Sequence, residues 1–534
     1  MPDGAPNASY AIDIQPLSGR VAISRAGTVL ASSTRALVMY ETRLPPTVYF
    51  PPEDVVAELG GPGELQTFCP FKGTASYRDL LVDGERIDDG VWIYADALPE
   101  SDAIRGFVGF MPHAYTDLDL GANRLRDAGE GNIGGPLIDW LMREAAGLDT
   151  PEAFTAALSE KLCQQGIALS RLSVMIWSLH PMIVGKNYTW TRGEDEITTL
   201  APSYEIHSHP AFLNSPLRHV ANGKGGVRQK IGTDYRDNSF PIIEDLRASG
   251  ATDYVAMPLT FSDGRRHVLT LTSDRAGGFS TADLGLVFEC ASVIGRFYEV
   301  FMQRENAQVL LETYVGKRTG ARVLGGDIRR GDGDDIDAAI MFCDLRDSTA
   351  LEERLGRVEY IALLNAFFEV VSTVVQQNGG EVLKFIGDAV LAVFAAGDDP
   401  EEAKAQALNS ARAIVARVMA GDGCAHSCDC AIGIAYGRVT YGNVGSRERL
   451  DFTVIGQAAN IAARLGDYGK THGHRIVTAD DTVGSKAQAA SMGAIPLGAV
   501  ALHNVSRPVR CYAVPASAAA FEPKCRTEPG ARIT

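Results

Sequence analysis

The stretch from Leu383 to Phe394, LKFIGDAVLAVF, is almost wholly apolar yet carries Lys384 and Asp388. Two runs of β-forming residues, EVLKFI and AVLAVF, flank Gly387-Asp388, and a two-residue connection of that type predicts a hairpin. Upstream, DAAIMFCD is a continuous apolar run, the mark of a strand covered on both faces. Between them, TALEERLGRVEYIALLNAFFEVVSTVVQQ reads as one long amphipathic helix stopped by Asn378-Gly379-Gly380. Downstream, a helix over roughly 401–420 precedes the strand CAIGIAYGRVTYG. Strand-helix-strand-strand-helix-strand is the ferredoxin-like order, a two-layer α/β sandwich.

That order sets the first strand beside the hairpin turn. Asp344 ends the strand and Asp388 occupies the turn, so both carboxylates are expected at one sheet edge. Like charges that close repel unless a cation lies between them. Hard oxygen donors suit Mg²⁺ or Mn²⁺, which usually also take substrate phosphates. After Asp344, Thr349 and Glu352 have capping-box spacing, and a fresh helix start offers free N–H groups to a polyphosphate. Taken singly, Gly-Asp in a turn is ordinary turn chemistry and an Asp before a helix is ordinarily a cap. Their joint placement is what points to a metal.

Residues 335–516 resemble the catalytic domain of class III nucleotidyl cyclases. FCDLRDST, LKFIGDAVLAVF and GRVTYGNVGSRERLDFTVIGQAANIAARL carry the resemblance, in order along the domain. It implies that Asp344 and Asp388 hold two Mg²⁺ or Mn²⁺ ions per site, and that Leu345, Ser348 and Thr349 border the substrate. Lys384 corresponds to the lysine that reads the purine edge, and Thr453 to the second base-reading position. Guanylyl cyclases typically have Glu and Cys there, so ATP is the expected substrate. Asn460 matches the ribose-orienting asparagine and Arg464 the arginine that neutralises phosphate charge in the transition state. Family members assemble the metal pair from one subunit and the remaining groups from its partner, so a homodimer is implied. Lys384 sits on a strand expected to turn Leu383 and Phe385 to the opposite face. YGNVGSRERLDFT is expected to form an arm reaching across.

Several positions depart from the family pattern. Asp347-Ser348 replace a common Gly-Phe, Gln457 stands where Asp or Asn is frequent, and His503-Asn504 replace Lys-Gly. The expected reaction is ATP to 3′,5′-cyclic AMP and pyrophosphate. Guanylate cyclase is one alternative, and a nucleotide-binding sensor without turnover is another.

Length and composition frame the rest. At 534 residues the chain is too long for one core. The expectation is a mixed α/β and α+β multidomain protein. A small β-rich domain over 1–117 is followed by a linker, 118–135, and a GAF-like α+β domain, 136–300. A signalling helix and linker, 301–334, lead to the ferredoxin-like cyclase domain, 335–516, and a tail, 517–534. The first domain resembles a β-rich bacterial family without assigned function through VYFPPEDV and TFCPFKGTASY, in which Cys69 reads as a buried residue. In the central domain, Ser262-Asp263-Gly264 predicts a hairpin turn and 281–313 a long helix. Trp177, His180 and Trp190 there read as core or surface aromatics.

A net charge of −16 argues against a nucleic-acid surface. No run of 18 or more apolar residues suggests a membrane span, and nothing at the N-terminus resembles a signal peptide. Nine scattered cysteines do not form a disulfide framework, and a cytoplasmic location is expected. CAHSCDC, residues 424–430, lacks paired zinc-ligand spacing. The expected partners are ATP, a second copy of the chain, and an unknown small-molecule or protein signal at the central domain.

Overall fold

The structure is a computed structural model that describes residues 11–42, 44–126, 135–232, 240–423 and 426–516. The expected tail, 517–534, lies outside them. The chain divides into two compact units, Met1–Ala307 and Gln308–Thr534.

In the second unit, β1 (Gly333–Leu345) is followed by α1 (Ser348–Leu355) and α2 (Arg357–Gln377). The hairpin is β2 (Glu381–Ile386) and β3 (Ala389–Ala395); α3 (Pro400–Met419) and β4 (Cys430–Gly445) complete the repeat. These four strands lie in the order β2-β3-β1-β4, all antiparallel, which is the ferredoxin-like arrangement. The sheet then extends through β5 (Leu450–Ile455), which pairs with the end of β4, and α4 (Gln457–His472) leads to β6 (Ile476–Ala479). β6 runs parallel to β4, and β7 (Ile495–Val500) and β8 (Val509–Ala513) close the far edge.

β1 is buried on both faces, as its apolar run requires. Ala339, Met341, Cys343 and Leu345 pack with the α2 and α3 side chains Phe367, Val371, Ala411 and Val415. Ala338 and Ile340 face the opposite way, with Val454, Ala462 and Leu465. By length and composition α2 could cross a membrane (mean hydropathy 1.6), but a core helix meets the same test. Here Leu363, Phe367, Val370 and Val374 are buried against the sheet.

Three sequence expectations are corrected. The single helix over 349–377 is two helices, because Gly356 at φ +75° takes a left-handed conformation between them. The Thr349–Glu352 capping box does not form. Asp347 occupies the N-cap at φ +55° without a side-chain cap bond, which puts Thr349 inside the first turn. A β-bulge between Val382 and Lys384 breaks strict alternation in β2. Leu383 therefore packs with Leu391 and Val393, while Phe385 meets Phe368 of α2.

In the first unit, seven strands from Ile12–Pro16 to Val108–Phe110 make one sheet, and a three-stranded sheet joins Asp117–Asp119 to Val21–Arg25 and Thr28–Ser33. The expected linker thus begins inside this fold, where Leu120 and Leu125 still pack on its core. Residues 127–134 lie outside the described set. The central domain is a six-stranded antiparallel sheet. One face meets the helices Pro136–Arg143, Pro151–Gln164 and Thr281–Val315 through Leu172, Val174, Leu269 and Phe154. The Asp253–Thr260 and Arg266–Ser273 strands form the expected hairpin, with Gly264 at φ +80° in its turn.

Candidate active site

Register brings the two acids together. Asp344 pairs with Ala389 across β1 and β3, directly after the Gly387-Asp388 turn that Ile386 and Ala389 bracket. Gly387 supplies the left-handed φ of +63° that the tight turn needs. The acids interact. Burial raises the Asp344 carboxyl above its ordinary range, the Lys470 ammonium pulls it back, and the Asp388 charge pushes it up again. Among the described residues Asp344 Oδ1 is buried without a hydrogen-bond partner, and Oδ2 accepts from Lys470 Nζ of α4. An orphaned carboxylate oxygen beside a second acid fits a divalent cation. Among the described residues no cluster of three or more His, Cys, Asp or Glu could hold a metal, so a cation at this pair would need phosphate or water oxygens to complete its coordination.

The surroundings of the pair point to phosphate. α1 starts four residues after Asp344, and among the described residues its first N–H groups receive no side-chain cap. Ser348 is half-buried at that start and Thr349 is exposed. The Leu345 side chain is buried in the core, which leaves only its backbone to face a substrate. Two nearby residues were not legible in the sequence. Burial, with the charges of Asp388, Glu352 and Asp344 added to it, raises the hydroxyl of Tyr360 on α2. Arg346 donates to the carbonyls of Gly469 and His474, which ties the end of β1 to the end of α4.

Lys384 and Thr453 belong to a second cluster. The end of β4 and β5 form a hairpin whose Tyr441, Phe452 and Val454 pack with Leu383 and Val393 of the β2–β3 hairpin. Tyr441 donates to Glu381 at 2.9 Å, and Lys384 pairs with Asp451 at 2.5 Å. The arm expected to reach outward is thus folded over its own sheet. Thr453 is two residues from Asp451 on the same strand face, so it shares the side on which Lys384 is held.

Asn460 and Arg464 lie elsewhere. Four residues apart on α4, they share a stripe within about 40° at about 100° per residue. The buried residues of this helix, Ala458, Ala459, Ala462, Leu465, Gly466 and Gly469, lie on the other side, against the sheet that holds Asp344. Among the described residues Arg464 pairs only with Asp467 at 3.0 Å, one turn along the stripe, and Asn460 is exposed. A single chain therefore brings Asp344 and Asp388 together, and Lys384 with Thr453, but turns Asn460 and Arg464 away from its own acids.

Residues 334–492 match the family model described as the adenylate and guanylate cyclase catalytic domain. The C-terminal unit carries a cyclase domain. Residues 13–120 match a domain of unknown function, DUF427. An uncharacterized protein of Mycobacterium tuberculosis is 36% identical over 184 residues, covering 34% of this chain and 33% of its own length. A second from that organism is 35% identical over 211 residues, covering 38% of this chain and 35% of its own. The chain thus spans about a third of the length of the curated relatives it matches. Among solved structures, the adenylyl cyclase CyaB from P. aeruginosa is 25% identical, covering 36% of this chain and 99% of that one, with a TM-score of 0.31. The guanylate cyclase domain of RhGC from Catenaria anguillulae, in complex with GTP, is 22% identical, covering 34% and 98%, with a TM-score of 0.30.

Outside the cyclase site, Cys424 of CAHSCDC lies beyond the described residues. Of its neighbours, His426 pairs with Glu359 at 3.2 Å, while Cys428 and Cys430 are buried.

Proposed function

We propose that the protein is a homodimeric adenylate cyclase that converts ATP to 3′,5′-cyclic AMP and pyrophosphate with Mg²⁺ or Mn²⁺. The observation that carries this reading is the split site. The acids Asp344 and Asp388 share one sheet edge, while Asn460 and Arg464 project from the far side of α4. A two-fold dimer supplies each set to the other and makes two equivalent composite sites.

Each residue has a role its chemistry suits. Asp344 and Asp388 would hold the metal ions, which when bound lower the pKa of the attacking ribose hydroxyl and neutralise phosphate charge. The free N–H groups of α1 receive phosphate oxygens. Lys384 only donates, so it serves the N1 acceptor of adenine and offers nothing to the N1–H of guanine, while the Thr453 hydroxyl accepts from the 6-amino group. Asn460 orients the ribose so that its 3′-oxygen lies in line with the α-phosphorus. The planar guanidinium of Arg464 meets charge spread over phosphate oxygens as the bond to pyrophosphate breaks.

The GAF-like reading of the central domain, a regulatory role for both N-terminal domains, and a cytoplasmic location belong to the same proposal. Purified protein with Mn²⁺ and competing ATP and GTP tests it. Cyclic AMP should dominate the products, and a preference for GTP would replace the adenylate reading with the guanylate one. Nucleotide binding without product under either metal would leave a sensor.

A further inference from the structure

The central sheet has a second face, and it encloses a cavity of about 320 Å³. Arg171, Ser173, Met175 and Trp177 point to it from the strand Arg171–Trp177, while Leu172, Val174 and Ile176 face the helices on the other side. Its opposite wall comes from the short helices Pro210–Leu213, Pro216–Ala221 and Ile242–Ala248, through Phe212, Leu217 and Ile242. The volume falls in the range of small-molecule pockets.

The floor of this otherwise apolar cavity is polar by construction. Cross-strand rows place Thr189 beside Ser173 beside Thr270, and Arg171 beside Thr272 beside Tyr254. Ser173 donates to Asn187 at 2.8 Å, Thr189 donates to Ser173 at 3.1 Å, and Thr270 donates to the Ser173 carbonyl at 3.3 Å. Two groups are left over: among the described residues the Thr272 hydroxyl and the Trp177 indole N–H are buried without partners. Arg171 is the stronger anomaly. It is half-buried, and it makes no ion pair or hydrogen bond among the described residues. A guanidinium cannot shed its charge in a protein, and a desolvated charge without a counter-ion is costly. Burial lowers its pKa, opposed by Glu194 and by Tyr254, whose own hydroxyl burial keeps neutral.

We infer that this cavity binds a small monoanion, a carboxylate carried on an apolar or aromatic body, with Arg171 as its counter-ion. A guanidinium accepts a carboxylate through paired N–H donors, and Trp177, Phe212 and Met175 offer the apolar wall. One negative charge is the match. Among the described residues Arg171 is the only cationic one of the lining, and Asp245 at the exposed rim repels a second anionic group.

The test uses the full chain and two matched pairs, naphthalene-1-acetate with naphthalene-1-acetamide and octanoate with octanamide, by calorimetry and thermal melting. At least one carboxylate should bind and raise the melting temperature, with its amide at least about tenfold weaker, as expected for a charge-assisted bond. Arg171→Met should erase that difference. Should it fail to fold, Ala211→Trp, which fills the cavity from the opposite wall, should abolish carboxylate binding while the melt stays cooperative. Failure of both carboxylates to bind, equal binding of acid and amide, or binding that survives Ala211→Trp overturns the inference.

Discussion

Lys470 Nζ donates to Asp344 Oδ2, so a side-chain cation from α4 stands against the carboxylate that would hold a metal. The pair is partly exposed, at 33% and 25% of the two side chains, so its Coulomb energy is screened. It nonetheless competes directly with a divalent ion for one oxygen. Lys470→Met should tighten Mn²⁺ binding, read by paramagnetic resonance or calorimetry, by a few-fold, corresponding to about 1 kcal/mol. Unchanged or weaker Mn²⁺ binding would show instead that Lys470 helps shape the site.

The opposed placement of Asp344 and Arg464 makes a stoichiometric prediction. Asp344→Ala and Arg464→Ala should each abolish turnover alone. Mixed in equal amounts and allowed to exchange, they should regain about a quarter of wild-type activity. Half of the dimers are then mixed, and each holds one intact site of two. No recovery on mixing, with exchange verified by differently tagged copies, would mean that each chain completes its own site.

Lys384 is not free to swing, because Asp451 of the folded-back hairpin holds it. The partner is well exposed, so the pair orients the ammonium more than it stabilises the fold. Asp451→Ala should raise KM for ATP by about threefold to fivefold, the scale of up to about 1 kcal/mol, with kcat changed less. An unchanged KM with lowered kcat would place Asp451 nearer the reacting phosphates than the base.

What the sequence disclosed, and what it hid, follows from the range of the interactions. The hairpin at Gly387-Asp388 and the doubly buried β1 are local patterns, and their register alone brings Asp344 to Asp388. The break at Gly356 was missed because a single glycine inside a helical period is ordinarily tolerated, and only its φ of +75° shows that the chain turns there. Lys470, 126 positions from Asp344, and Asp451, 67 from Lys384, are contacts between distant elements, with no spacing to betray them. The central cavity was equally hidden. Trp177 reads as a core aromatic until the sheet shows that odd positions of its strand face open space while even ones face helices.

His267 gives the central domain a pH dependence. It is fully buried, lies tilted against Phe261 with ring centroids 3.8 Å apart, and accepts a hydrogen bond at Nδ1 from the Trp177 backbone N–H at 3.0 Å. The neutral ring thus carries its proton on Nε2, which has no partner among the described residues. Burial above all, with the charge of Arg265, pushes its pKa down to about 4 from 6.5; Asp263 and Glu299 pull weakly the other way. The unfolded chain therefore takes up a proton below pH 6.5 that the folded chain refuses until about 4. Stability is fully present above 6.5 and falls as pH drops through that window. At about 1.4 kcal/mol per unit the loss approaches roughly 2 kcal/mol by pH 5. Denaturant melts followed by tryptophan fluorescence at pH 7 and pH 5 should show it. His267→Asn keeps an acceptor for the Trp177 N–H but cannot titrate, so its pH dependence should be shallower by that amount. Parallel curves for the two proteins would mean that the buried imidazole is not the titrating group.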